Sequence, residues 1–181
     1  MEQTKDSYLT IEGNAEAIFK EKSSKFLCYA FHVESEEEIT AHLERLRKQY
    51  YDATHHCYAW RLGPFGERFR ANDDGEPSST AGKPILGQML SREVTNCLIV
   101  VVRYFGGTKL GVPGLIAAYK ESAAAVLDEA KVVWIPGSAF GECGEGFARV
   151  AYTCGEEELY EAIDRVRKFC EKLNNQEEIP Q

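Results

Sequence analysis

Cys97 to Val102 reads CLIVVV, six apolar residues in a row and mostly β-branched. Such a run suits a strand covered on both faces, since a half-exposed strand alternates apolar with polar. Directly after it come Arg103, Tyr104, Phe105, Gly106, Gly107, Thr108, Lys109, Leu110 and Gly111. Glycine tolerates positive φ and lets backbone N–H groups approach a ligand closely. Two cationic side chains beside such a loop, ahead of a helix, make an anion cradle plausible. The order strand, glycine loop, lysine, helix is that of a phosphate-binding loop. It is not the Walker pattern, because Leu110 follows Lys109 and the glycine spacing differs.

The residues named for that cradle are Arg103, Gly106, Gly107, Lys109 and Gly111. The same basic pair has a second reading, in which Arg103 pairs with an acid of the upstream turn Asn72-Asp73-Asp74-Gly75-Glu76 and locks the two stretches together. Asp73, Asp74 and Glu76 can in turn bind a hard cation or act as acid/base groups. The same letters also make an ordinary Asx-type turn, which weighs more heavily. His55, His56 and Cys57 fall short of a four-ligand zinc set, so a structural role is expected and no metal is assigned. Cys57 with His55 lacks a third orienting group for nucleophilic catalysis. Ser78, Ser79 and Thr80 are explained by capping and turn roles. No catalytic residue is assigned.

The formal net charge is −8. Residues 1–131 hold 16 basic against 19 acidic residues, and 132–181 hold 5 against 10. Neither part is a general polyanion binder, so any nucleic-acid reading rests on a local patch around Arg70, Arg103 and Lys109. The six cysteines show no CxxC spacing and sit mostly in apolar contexts, as reduced core thiols do. No run approaches the ~18 apolar residues of a membrane span, and MEQTKDSYLT has no signal-like apolar run. A cytoplasmic protein is the expectation.

Taken in order, residues 8–19 and 25–33 read as two strands of a hairpin. Ser35 with Glu38 matches a capping box, and Ile39, Leu43, Leu46 and Tyr50 line one face of the helix that follows. His56 to Leu62 alternates as a strand, Gly63 to Gly66 turns, and Glu67 to Ala71 returns. Ser79 or Thr80 is placed to cap a helix over about 81–92, with Pro84 in its first turn. Pro113 opens a helix to about Ala130 with a stripe of Leu115, Tyr119, Ala123, Val126 and Ala130. The expected class is α+β, a mixed sheet with helices packed on one face.

Three long stretches, ATHHCYAWRLG (53–63), NDDGEPSSTAGKPIL (72–86) and VVVRYFGGTKLG (100–111), resemble the IMPACT/YigZ family. The resemblance covers about residues 5–130. It implies a ribosomal-protein-type domain and a regulatory, non-enzymatic protein without a cofactor. Its eukaryotic relatives are linked to control of translation initiation through a kinase pathway, and its bacterial ones to nucleic-acid, ribosome-associated or protein partners. The alternative function is an enzyme acting on a phosphorylated or carboxylated small molecule. One departure is Pro113, where the family usually has a second glycine before Gly114; it stiffens the loop.

Residues 132–181 do not resemble the family's usual C-terminal domain. PGSAFG (136–141) and GFARVAYT (146–153), followed by EEELYEAIDRV (156–166), resemble the end of pyridoxal-phosphate class I aminotransferases. Arg149 matches the arginine that holds the substrate carboxylate there, a bidentate role that suits guanidinium. No Schiff-base lysine motif or large cofactor domain accompanies it, so that activity is rejected. The expected domains are 1–131 and an appendage, 132–181, joined by fusion. A short strand pair and one helix cannot build a core alone; segments below roughly 40–50 residues seldom do. A truncation ending at Lys131 should therefore keep most of the thermal stability, and limited proteolysis should cut first between Pro136 and Gly146. Unfolding of that truncation in a thermal melt would make the tail part of the core.

Overall fold

The computed structural model describes residues 8–130 and the backbone of 132–133. The elements in chain order are β1 (Thr10–Ile11), β2 (Asn14–Glu21), β3 (Ser24–His32), α1 (Glu36–Gln49), β4 (His55–Leu62), β5 (Arg68–Asn72), α2 (Gly82–Ser91), β6 (Cys97–Tyr104), α3 (Gly111–Glu129) and β7 (Val132–Val133). Five strands form one sheet in the order β2-β3-β6-β4-β5. The apolar run lies in β6, its central strand, with Cys28 opposite Val101 on one side and Cys57 opposite Val101 on the other.

Strand alternation explains why every residue of that run is apolar. Cys97, Ile99 and Val101 point into one core with Ile85, Met89, Leu115, Tyr119, Ala123 and Val126 of α2 and α3. Leu98, Val100 and Val102 point into a second core with Ile39 and Leu46 of α1. Each face of β6 is thus a separate hydrophobic interior, and burial of such side chains stabilises by about 1.5–3 kcal/mol apiece.

The α+β class holds, with two corrections of detail. Every pairing in the five-stranded sheet is antiparallel, so the sheet is not mixed. The helices are not confined to one face, because α1 covers the face opposite α2 and α3. An all-apolar strand demands cover on both sides, and α1 supplies the second cover. Residues 8–19 also do not form one strand. Gly13, at φ +68°, breaks the path, and β1 pairs instead with β7, Thr10 opposite Val133.

The capping box at α1 is present in a shifted form. Ser35 Oγ accepts from the Glu38 N–H at 3.2 Å, while Glu38 Oε2 accepts from the Glu34 N–H at 2.9 Å. At α2 neither Ser79 nor Thr80 caps. Asp73, from the acidic turn, reaches across instead: its Oδ1 accepts from Ala81 N–H (3.0 Å) and Gly82 N–H (2.8 Å), and its Oδ2 from Ser79 N–H (2.8 Å). Gly82 is required here, since a Cβ would stand 2.5 Å from the Asn72 backbone nitrogen. Pro113 lies in the first turn of α3, where it breaks no helical bond. Among the described residues, no helix is long and apolar enough to cross a membrane.

Burial raises the Asp73 carboxyl pKa, but the N–H groups of Ser79, Gly82 and Ala81, with Lys83, outweigh it and hold the pKa below its ordinary value. A lowered folded pKa adds stability above the unfolded value of about 3.9 and loses it as pH falls through the folded one. Asp73→Asn keeps one acceptor oxygen but loses the charge and the second acceptor, and should cost about 1 kcal/mol or more near neutral pH. The gap to the unsubstituted protein should narrow below about pH 4, as read from urea melts across pH.

Candidate functional site

The end of β6 delivers Arg103 to the point where three motifs meet. Its register places Arg103 between Phe26 of β3 and His55 of β4. Alternation turns its side chain toward the α2/α3 side, where it is 5% exposed. There Arg103 Nη1 donates to Glu76 Oε1 in a buried ion pair, and Nη2 lies 3.4 Å from Ser24 Oγ. The guanidinium also lies 5.5 Å from the Phe26 ring centroid and 5.6 Å from that of Phe105, within cation–π range.

Glu76 is the hub on the other side. Its Oε1 also accepts from Tyr119 Oη at 2.8 Å. The Cys57 thiol lies 3.3 Å from that Tyr119 oxygen and 3.0 Å from the Asp73 carbonyl. His55 donates through Nδ1–H to the Asp74 carbonyl at 2.8 Å, and its Nε2 is 3.8 Å from Glu76 Oε1. Burial is the main force pushing the Cys57 thiol and the Tyr119 hydroxyl well above their ordinary pKa values. Burial thus disfavours the thiolate, and Cys57 sits in the cluster as a hydrogen-bond donor.

The other two acids are spent in the same way. Asp73 caps α2. Asp74, at φ +42°, accepts from the His56 N–H at 2.6 Å and from Arg47 Nη2 at 3.1 Å. Among the described residues, no group of three or more His, Cys, Asp or Glu side chains is placed to hold a metal ion. Cys57 and His55 share one face of β4. His56 points to the other, where burial is the main cause of its lowered pKa.

The glycine loop follows from close packing as much as from ligand access. A Cβ on Gly106 would lie 2.1 Å from the Ser23 carbonyl carbon, so only glycine passes the β2–β3 turn there. Ser24 Oγ accepts from the Gly106 N–H at 3.3 Å. Gly107 (φ +85°) and Gly111 (φ +74°) take the left-handed conformation that glycine permits. Gly111 is the first residue of α3, and Leu110 before it supplies no side-chain cap. A pocket of about 390 Å³ opens at this corner, lined by Glu76 and Pro77 from the acidic stretch and by Arg103, Phe105 and 109–112 from the loop. Lys109 is exposed, and among the described residues it has no ion pair.

The structure therefore joins Arg103 with Glu76, keeps Lys109 at the pocket, and separates Arg70. That residue pairs with Trp60 on the edge strand β5, whereas Arg103 pairs with His55 at the opposite end of β4. Two members of the cluster were not singled out from sequence as site residues. Tyr119 reads only as part of the α3 stripe, although a tyrosine in an otherwise apolar stripe signals a buried hydroxyl in need of a partner. Ser24 reads as turn filler; nothing in its local sequence marks it.

Residues 22–127, which hold the whole of this arginine–glutamate cluster, match a known family, the Impact N-terminal domain. The chain belongs to that family. It is 40% identical over 127 residues to the IMPACT family member YvyE of Bacillus subtilis, covering 70% of this chain and 58% of that one. To YigZ of Escherichia coli it is 38% identical over 116 residues, 63% of this chain and 57% of the relative. The chain thus spans somewhat over half the length of each. A crystal structure of a protein described as hypothetical superimposes with a TM-score of 0.68 at 36% identity, over 70% of this chain and 63% of the other. The aminotransferase resemblance of the tail also holds: a 49-residue stretch is 51% identical to aromatic-amino-acid aminotransferase 2 of Thermococcus litoralis, 27% of this chain and 13% of that enzyme. Residues 134–181, including Arg149, lie outside the described residues.

Removing one member of a buried charge pair strands the other. Glu76→Gln should destabilise the domain by about 3–5 kcal/mol. Exchanging both residues in Glu76→Leu/Arg103→Met should cost less than the two single losses summed, measured by denaturant melts in a double-mutant cycle.

Proposed function

We propose that this chain is a regulatory binding module of the translation-control type, which recognises an anionic partner at the Phe105–Val112 loop. The observation that carries it is how the charges are disposed. Asp73, Asp74 and Glu76 are all engaged within the fold, whereas Lys109, Gly111 and the uncapped start of α3 line a pocket that Gly106 and Gly107 do not reach. Free helix-terminal N–H groups and a nearby cation attract phosphate or carboxylate oxygens. Exposed Phe105 and Val112 offer apolar contact beside that charge. Nucleic acid suits this combination, since bases stack on aromatic rings while phosphates meet a cation. The translation link comes with the family resemblance, and ribosome-associated or protein partners belong to the same reading.

A second reading is favoured by the pocket itself. It draws on both the acidic stretch and the glycine loop, and its size suits a small phosphorylated or carboxylated molecule. Glu76 is the carboxylate nearest to such a ligand, but its Oε1 already accepts from Arg103 and Tyr119. An acid/base role would have to break that lock.

Lys109→Ala is the cleaner probe, because Arg103→Ala would also unfold the buried pair. With a labelled single-stranded RNA, the variant should bind more weakly, and its salt slope should fall by about 0.7, one phosphate contact. An unchanged affinity and slope would sink the anion site. A thermal shift with small phosphates, and none with RNA, would move the assignment to the small-ligand reading.

A further inference from the structure

Among the described residues the strand β2 ends the sheet, with β3 as its one sheet neighbour. Among the described residues its outer backbone edge is unpaired, which is a template for another strand. Its faces alternate cleanly. Ala15, Ala17 and Phe19 pack toward the α3 side, while Glu16, Ile18 and Lys20 stand exposed on the other. Ile18 is 61% exposed, on a strand whose edge a soluble domain ordinarily guards.

From this we infer that β2 pairs with the β2 of a second copy, in antiparallel register about Ile18, to make one continuous sheet. The charge order of the strand selects that partner. With Ile18 opposite Ile18, Glu16 of one copy faces Lys20 of the other, and symmetry repeats the contact. Opposite charges directly across an antiparallel pair stabilise it, and like charges oppose it. On the second face the same register sets Ala17 against Phe19, a small residue against a large one. An isologous contact of this kind closes at two copies and leaves no free β2 edge.

The other sheet edge, β5, cannot do the same. Its sequence RFRAN carries Arg68 and Arg70. Self-pairing about Phe69 sets Arg68 against Arg70, and self-pairing about Arg70 sets that residue against itself. Both registers juxtapose like charges, the usual guard of an edge strand. One edge of the sheet is therefore self-complementary and the other self-repelling, so assembly through edges stops at the dimer.

The experiment is charge reversal on the full chain, read by sedimentation velocity from micromolar to hundreds of micromolar protein. The unsubstituted chain should dimerise. Glu16→Lys alone and Lys20→Glu alone should each weaken the dimer about tenfold or more, because each sets like charges opposite twice. The double variant Glu16→Lys/Lys20→Glu should recover it, and an equimolar mixture of the two single variants should form a heterodimer. Both positions are exposed, so circular dichroism and melting temperature should be unchanged when compared at a dilution where every variant is monomeric, which confirms folding. A chain that stays monomeric throughout would overturn the proposal, with β2 then covered by its own chain or reserved for a different protein. A dimer indifferent to both reversals would also overturn it, placing the contact on another face.

Discussion

The buried pairing of Arg103 with Glu76 is the contact on which the rest of this domain depends. A guanidinium taken out of water is costly without a counter-charge beside it. Meeting that demand brings the acidic turn, the end of the central strand, the β2–β3 turn and the middle of α3 to one point. Glu76 answers the charge, Ser24 lies by a second guanidinium nitrogen, and Tyr119 donates to the same carboxylate oxygen as Arg103. Cys57 and His55 then fill in around them. A cluster that looks like catalytic equipment is largely an internal lock.

That lock changes what the glycine loop is for. Gly106 is held against Ser23 and Ser24 by backbone packing, so part of the glycine content of the loop serves closeness rather than ligand approach. What remains outward is narrower: Lys109, the start of α3, and the apolar rim of Phe105 and Val112. Charge that is paired inside attracts little from solution, so under the anion-binding proposal the contact would rest on one lysine and on backbone N–H groups rather than on two cations.

The two faces of the sheet divide the labour. On one side α2 and α3 pack close, with Gly82 and alanines permitting near approach, and they carry the polar cluster. On the other α1 closes an aromatic-rich core, where Phe31 stacks on His42 and the Tyr29 hydroxyl meets that of Tyr50. The all-apolar β6 is the common wall. Its neighbours on both sides run antiparallel to it, so β3 and β4 are parallel to each other and α1 is the crossover that joins them over β6, while the two edges of the sheet differ in charge.

The sequence by itself determined the elements and most of the contacts they would seek. CLIVVV, short and mostly β-branched, suited a strand hidden on both faces, Ser35 with Glu38 marked the start of α1, and the stripe through Leu115, Tyr119 and Val126 set the buried side of α3. Those signals are local, carried by periodicity and by side chains that cap their own helix. Long motif resemblance made the family legible over residues 5–130. Tertiary structure alone decided which of the two partners open to Arg103 it takes, that Asp73 and not Ser79 or Thr80 caps α2, and that Arg70 stands apart from Lys109. It also decided that α1 crosses to the second face. Each of these joins groups far apart in the chain, and strand order, which spacing along a sequence does not encode, is what brings them together or keeps them apart.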